Sequence, residues 1–309
     1  MKFYIIRTSF VIAFLVFSLH TKAQQSPKYT QYMYNSSIFN PAYITTKEDL
    51  NFFGLYSAQW VGLEGAPKTA NLSFSMPVAE KGLYMGANII HDKIGVITDN
   101  NIAMNIGYKI KLNYKYNLAF ALKGSVDILN VDYTKLDVYE GSDPIMADNI
   151  SNKFSGNIGA GIFAFSEEAY IGLSIPHVLQ NKASTKDGYK VMTEKFQVYF
   201  TGGYVFDINP NLLLKPAFLL TSVQQGDTFL DLTLNAHLFD KFSFGLSYST
   251  SSSIALLTDF NIGERFFIGY GVSKQTNSFR KESGLSHEIF LRFDVLKGRG
   301  SSSRAPRFF

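Results

Sequence analysis

The chain has 309 residues and no cysteine, which excludes disulfides, thiolate metal sites and a cysteine-linked lipid anchor. Its formal net charge of +4 includes Lys2, Arg7 and Lys22 of a predicted leader. Without these three, 26 basic residues stand against 25 acidic ones, and no strong field indicates a nucleic-acid partner. The mean hydropathy of +0.01 fits neither a bundle of membrane helices nor a very soluble protein. It fits a protein in which lipid-facing and water-facing side chains alternate.

Residues 1–23 have the features of a secretory signal peptide. Positive residues precede an apolar run from Phe10 to Leu19, which is too short to cross a membrane as a helix. Thr21 and Ala23 are the small residues that signal peptidase favours around its cleavage site. We therefore expect cleavage between Ala23 and Gln24, in preference to an uncleaved helical anchor. Together with the strand pattern of the rest of the chain, this export signal predicts an outer-membrane location.

A period-two pattern of apolar and polar residues recurs from Leu50 to Val295. In 230–238, for example, Leu and Ala alternate with Asp, Thr, Asn and His. Such alternation predicts strands with one apolar face, and roughly 9–11 tilted residues cross a bilayer. The pattern predicts 14 strands, at 50–59, 68–78, 83–91, 100–110, 116–128, 154–165, 169–178, 195–207, 212–222, 229–238, 242–249, 254–262, 265–274 and 285–295.

The fold class predicted from this pattern is all-β, a transmembrane antiparallel up-and-down β-barrel of about 14 strands. A soluble sandwich also alternates, but at this length it would normally divide into two domains, and no break in composition divides the chain. Connections after even-numbered strands are tight and rich in Gly, Asn, Asp and Pro, whereas most others are long. The long ones include 92–99, 129–153 and 179–194. Short periplasmic turns and longer outer loops are typical of outer-membrane barrels, and an even strand number places both termini in the periplasm.

Four segments are predicted along the chain. The signal peptide covers 1–23, and residues 24–49, which alternate poorly, form a plug or an arm. The barrel covers 50–295, and residues 296–309 form a basic flexible tail.

The mature sequence contains no arrangement that indicates catalysis. Its four histidines occur in no metal-ligand spacing, and no nucleophile elbow or phosphate-binding loop is present. We therefore predict no catalytic residue, no metal, no cofactor and no enzyme activity. Asp259, Glu288 and Arg292 have the polar parity of late strands and are expected in the lumen, because a charge facing lipid costs roughly 2–4 kcal/mol at the midplane. There they either select solutes or pair with one another in a hydrated wall.

Two segments contain residues that a barrel wall does not require. The first reads QYMYN and then FNPAY, and its residues of interest are Gln31, Tyr32, Tyr34, Asn35, Asn40, Pro41 and Tyr43. The second reads QWVGLEGAPKT and contains Gln59, Trp60, Gly62, Gly65 and Pro67. Together they resemble the hallmarks of the PorP/SprF family of type IX secretion system outer-membrane proteins, found in the Bacteroidetes. His91–Gly95 and Ser286–Glu288 resemble two further segments of that family.

The resemblance implies a barrel that supports export or cell-surface anchoring of a large secreted protein, such as a gliding adhesin. Its implied partners are outer-membrane lipid, a secreted surface protein with a type IX sorting domain, and other components of the secretion system. The motif residues then either brace the barrel or contact the partner. The alternative function is a diffusion channel or a transporter of hydrophobic compounds, which also fits 14 strands and an N-terminal plug. A membrane-embedded hydrolase is disfavoured because no catalytic motif is present.

Overall fold

The computed structural model describes residues 29–79, 82–136, 149–184, 190–193, 195–224, 226–263 and 265–295. The predicted signal peptide, its cleavage site and the predicted tail lie outside these residues. Within the described ranges, no helix has the length and apolar character needed to cross a membrane.

The chain forms a closed antiparallel barrel wall of 14 strands, which confirms the predicted fold class. β1 pairs with β17, and β10 pairs with both β7 and β12, so the sheet closes on itself. β10 and β11 pair in succession with β12 and make one wall strand interrupted at Val205. The strands are β1 Leu50–Ala58, β2 Lys68–Ala79, β3 Leu83–Ile94, β4 Ile97–Lys111, β5 Asn117–Val131, β6 Ile150–Phe165, β7 Ala169–Ile175, β8 Lys182–Ser184, β9 Lys190–Thr193, β10 Gln197–Tyr204, β11 Phe206–Asn209, β12 Leu212–Val223, β13 Thr228–Leu238, β14 Phe242–Ser249, β15 Ser253–Ile262, β16 Phe266–Gln275 and β17 Ser286–Val295.

The connections define two ends of the barrel. One end, here called the turn end, carries the short connections together with the start of β1 and the end of β17. The opposite end, the loop end, carries most of the long ones, and β8 and β9 form a separate hairpin within the connection from β7 to β10. The prediction of a long connection at 92–99 is wrong. The ladder between β3 and β4 continues to the Ile94–Ile97 pair, so only Gly95 and Val96 form the turn.

Side chains of the wall alternate between the two faces as the period-two pattern predicts. In β13, Leu232 and Leu234 are 45% and 48% exposed on the outside, whereas Thr233, Asn235 and His237 are buried on the inside. The outside is thus apolar and the inside polar, the arrangement of a barrel whose outer face meets lipid.

The described N-terminal segment, 29–49, lies inside the barrel and forms a plug. It contains two short 3₁₀-helices, Ser36–Ile38 and Pro41–Thr46, and nearly all of its side chains from Tyr29 to Thr46 are buried. The described loops contain two further 3₁₀-helices, Tyr133–Lys135 and Ser278–Lys281. The largest hydrophobic cluster joins Tyr29, Tyr32, Met33, Tyr34 and Phe39 to inward side chains of the wall. The hydrophobic core of this protein is therefore the interface between plug and wall.

Candidate functional site: the plugged lumen and the loop-end cluster

The plug runs through the lumen from the loop end to the turn end. Near its start, the backbone N–H of Gln31 donates to Glu288 of β17, three residues from the loop-end connection. Near its end, the Lys109 ammonium lies 2.8 Å from Glu48, close to the turn-end terminus of β4. The two ends of the wall do meet at the turn end, as an even strand number requires. Tyr29, the first described residue of the plug, nevertheless lies toward the loop end. The expectation that both chain termini lie at the periplasmic end therefore holds for the ends of the wall and not for the start of the described plug.

Glu288 fixes the start of the plug through both of its carboxylate oxygens. The backbone N–H groups of Thr30 and Gln31 donate to it over 3.2 and 2.8 Å. The Gln31 Nε2 amide also donates to the Glu288 carbonyl oxygen at 3.2 Å. Glu288 therefore holds the backbone of the plug as well as the Gln31 side chain.

Three tyrosines of the first motif belong to the plug and pack against the inner face of the wall. The Tyr32 hydroxyl is 3.3 Å from Thr233 Oγ1, the Tyr34 hydroxyl donates to the Asp259 carboxylate, and the Tyr43 hydroxyl donates to the Tyr34 carbonyl oxygen at 3.4 Å. Burial raises the pKa of Tyr43 to about 12, and burial together with the Asp259 carboxylate raises the pKa of Tyr34 well above its usual range. Both hydroxyls therefore stay protonated and act as donors at neutral pH.

Two asparagines explain the local folding of the plug. Asn35 caps the first 3₁₀-helix, accepting from the Ser37 N–H at 3.4 Å, and its Nδ2 donates to Ser73 of β2 at 2.8 Å. Asn40 caps the second, accepting from the Ala42 N–H at 3.0 Å, and its Nδ2 donates to the Ile162 carbonyl oxygen of β6 at 3.0 Å. Pro41 occupies the first helical position, where a missing N–H costs nothing. Each asparagine thus starts a turn and attaches it to the wall.

The second motif forms the connection from β1 to β2 at the loop end. The Gln59 N–H donates to the Pro67 carbonyl oxygen at 2.9 Å and closes the base of this loop. Gly62 and Gly65 have φ of +101° and +71°, which residues with a Cβ rarely adopt. Trp60 has φ of +47°, a conformation that is an outlier for a bulky residue. Backbone strain of this kind costs of order 1–3 kcal/mol and is maintained only by surrounding contacts.

Contacts to two other loop-end connections hold this loop. The Trp60 ring packs edge to face against the Phe279 ring, with 5.1 Å between the ring centroids. The backbone N–H of Trp60 donates to Ser286 Oγ at 3.1 Å. On the other side, the Gly95 N–H donates to the Gly65 carbonyl oxygen at 2.8 Å. We call these three interlocked connections, 59–67, 95–96 and 276–285, the loop-end cluster.

Ser286, His287 and Glu288 join the cluster to the plug. Successive strand residues face opposite sides, so Ser286 and Glu288 point inward while His287 points outward. Ser286 holds Trp60 and Glu288 holds the plug, two residues apart on one strand. The four segments singled out in the sequence therefore form one connected unit.

The predicted motif residues fall into two groups in the structure. Those from Gln31 to Tyr43 lie in the lumen, and those from Gln59 to Pro67 lie at the loop end. The sequence prediction missed the wall residues that receive the plug: Asn71, Ser73, Asn88, Ser174, Lys215 and Phe290. The sequence did indicate that most of these residues are polar and face inward. That pattern is the same for every residue on the inner face of a barrel, so it could not show which residues contact the plug. His237, whose parity is also inward, is buried, and its Nδ1 lies 2.8 Å from Ser243 Oγ.

Among solved structures, the toluene transporter TbuX of Ralstonia pickettii has a TM-score of 0.51 and 12% identity, covering 86% of this chain and 93% of its own. A protein described as the CymD monoaromatic hydrocarbon channel has a TM-score of 0.50 and 12% identity, covering 87% and 94%. At this identity both show a shared barrel fold alone. The search of curated proteins found no match.

The sequence model described as type IX secretion system membrane protein PorP/SprF matches residues 21–293, nearly the whole chain. That range includes the plug, the loop-end cluster and all but the last two residues of the wall. The resemblance seen in the motifs is confirmed, and with a 14-stranded barrel of outer-membrane type the chain belongs to the PorP/SprF family of type IX secretion system membrane proteins.

Proposed function

We propose that this barrel supports the export or cell-surface anchoring of one large secreted protein, such as a gliding adhesin carrying a type IX sorting domain. One observation carries the proposal: the family motifs fill the lumen and shape the loop end as a single connected unit. A lumen filled by its own chain is poorly suited to conduct solutes. A rigid, shaped loop end is well suited to hold a partner.

The surface proposed for the partner is the exposed part of the loop-end cluster. Val61 and Leu63 are 53% and 40% exposed, although the neighbouring Trp60 is packed inward. We place the centre of the contact surface at these two side chains, because contiguous exposed apolar patches mark protein–protein interaction sites. The longer loops 129–153 and 179–194 are proposed to contribute further contacts, although 137–148, 185–189 and 194 lie outside the described residues.

A deletion strain tests the proposal. We expect one large protein to disappear from the cell surface, or to move into the medium, while small-solute uptake is unchanged. Mass spectrometry of peptides shaved from intact cells, with analysis of the medium, measures the first outcome. A complete set of surface proteins together with loss of uptake of a hydrophobic compound would instead support the transporter function suggested by the names of TbuX and CymD.

Two loop variants separate partner contact from bracing. We expect Val61→Asn with Leu63→Asn to leave the barrel assembled and to release the partner, because both side chains already face solvent. Trp60→Ala should lower the amount of folded barrel or loosen its loops, because it removes the contact with Phe279; Trp60→Phe, which keeps an aromatic ring, should do so less. If the double variant retains its partner, the binding surface lies elsewhere.

The mature protein is further proposed to begin at Gln24. N-terminal sequencing of the protein from outer-membrane fractions measures this, and a chain beginning at Met1 would show an uncleaved anchor.

A further inference from the structure

Charged side chains are distributed unequally between the two faces of the described wall. All eight carboxylates of its strands have inward parity: Asp92, Asp99, Asp127, Asp207, Asp231, Asp259, Glu288 and Asp294. Five basic or imidazole side chains have outward parity: Lys68, His91, Lys93, Lys274 and His287. All five lie at the loop end. The three lysines therefore give the outer face a positive rim at the loop end only, and no carboxylate of the described wall has that outward parity.

Strand register aligns this rim across neighbouring strands. Lys93 of β3 pairs with Lys68 of β2, Lys68 pairs with Ala58 of β1, and Ala58 pairs with His287 of β17. Directly opposed residues have Cβ atoms about 4.5–5.5 Å apart, and like charges at that distance destabilise a sheet. Neither lysine forms an ion pair within the described residues. An anion placed against both would convert this repulsion into attraction.

The surface beside the rim is apolar. The next outward row toward the turn end contains Tyr56, Ile289 and Tyr270, and the Tyr270 hydroxyl lies 2.6 Å from His287 Nδ1. Lys274, on the strand next to His287, borders a groove on the outer face with a volume of about 570 Å³. This volume lies within the roughly 300–1,000 Å³ of small-ligand sites. The groove is lined mainly by apolar side chains, among them Leu232, Leu234, Leu246, Ile254 and Leu256.

The charges of the adjacent loops do not alter this pattern. The loop-end cluster holds Glu64 and Glu282, but it also holds Arg280 and Lys281, so it adds no net charge. The positive charge comes from side chains of the wall, at the depth where lipid headgroups meet the barrel. Such basic residues attract anionic headgroups, whereas the apolar groove beneath suits acyl chains.

We propose that this rim is a binding site for a phosphorylated glycolipid of the outer leaflet. Lys68 and Lys93 contact one phosphate together, Lys274 adds a third positive charge farther along the rim, and acyl chains lie on the apolar surface and in the groove below. The site lies outside the plug and borders the proposed partner surface at Leu285, and lipid binding by the purified barrel is measured without any secreted partner.

Titration of the purified full barrel in nonionic detergent with diphosphoryl lipid A tests this site, with bound lipid counted by native mass spectrometry. We expect saturable binding, weakened roughly 30-fold in Lys68→Gln with Lys93→Gln, because each lysine near an anionic headgroup contributes about five-fold. The matched control is Lys111→Gln with Lys241→Gln, two exposed lysines at the turn end, which should bind as the parent does.

Three results would overturn the proposal. Equal weakening in both double variants would indicate general electrostatic attraction. Equal binding of dephosphorylated lipid A would show that no phosphate is recognised. Displacement of the lipid by inorganic phosphate at a similar concentration would show a site for a free anion. Heat-modifiable migration on gels verifies that each variant is folded, so that a loss of binding reports on the site.

Discussion

At the scale of single residues, Glu288 is the contact on which the start of the plug depends most. Its carboxylate is buried and accepts two backbone N–H groups of the plug. Asp259 plays a related part for the Tyr34 hydroxyl farther along the plug. Both residues could have been solute-selecting charges of an open channel. The structure shows that they bind the chain's own N-terminal segment.

Glu288→Gln should loosen the plug. Glutamine has one side-chain oxygen where the carboxylate has two, so the N–H of Thr30 or of Gln31 would face an amide NH₂ group, and the loss is about 1–3 kcal/mol. Because the chain has no cysteine, a cysteine at Met33, which is 2% exposed, is a unique label. We expect maleimide labelling of the folded protein to accelerate about ten-fold or more, as each 1.4 kcal/mol corresponds to a factor of ten.

The control for that experiment is Glu64→Gln in the same Met33→Cys background. Glu64 is an exposed carboxylate of the loop-end cluster and does not contact the plug. Equal labelling rates in the two backgrounds would mean that Glu288 does not hold the plug in place.

At the scale of elements, β13 shows how one strand serves two environments. Leu234 is directed outward at mid-strand, and Asn235 is directed inward, opposite Lys215 of β12. Asn235 is fully buried, so alternation gives the direction of a side chain but not the space available to it. A large inward side chain such as arginine would not fit at this position.

A pair of charge substitutions in β13 tests the assignment of its faces. Leu234→Arg should prevent or strongly reduce assembly, because an arginine facing lipid at the midplane costs roughly 2–4 kcal/mol. Asn235→Asp should assemble, because it keeps the size of the side chain and places the new carboxylate opposite Lys215. The yield of heat-modifiable barrel in detergent measures both, and similar yields would show that the faces are assigned wrongly.

At the scale of the whole molecule, the plug occupies the lumen of the barrel. Its second 3₁₀-helix packs against β4, β5 and β6, and its first aromatic residues pack against β1, β10, β12 and β17.

Because the plug occupies the lumen, the parent protein should conduct poorly in planar bilayers. Deletion of 29–46 should raise the conductance of each inserted barrel markedly, because the lumen is then open to water. A deletion variant that assembles and stays closed would show that other segments seal the barrel.

The sequence by itself determined the barrel, its 14 strands and the alternation of apolar outward and polar inward side chains along strands such as β13. These follow from a strict local rule, since each strand residue must face either lipid or the lumen. The motifs also identified the family. The strand ends at 94 and 97 were not predictable, because the ladder between β3 and β4 extends beyond the apolar band.

Only the tertiary structure decided what the inner face contacts. The Gln31 N–H and the Glu288 carboxylate are 257 residues apart in sequence, and they meet only because the sheet closes between β1 and β17. Likewise, Ser286 reaches Trp60 only through that closure. An inward polar residue has the same pattern whether it meets water, another wall residue or a plug. The choice between plug and arm, and between hydrated lumen and filled lumen, therefore depends on long-range packing that no local periodicity encodes.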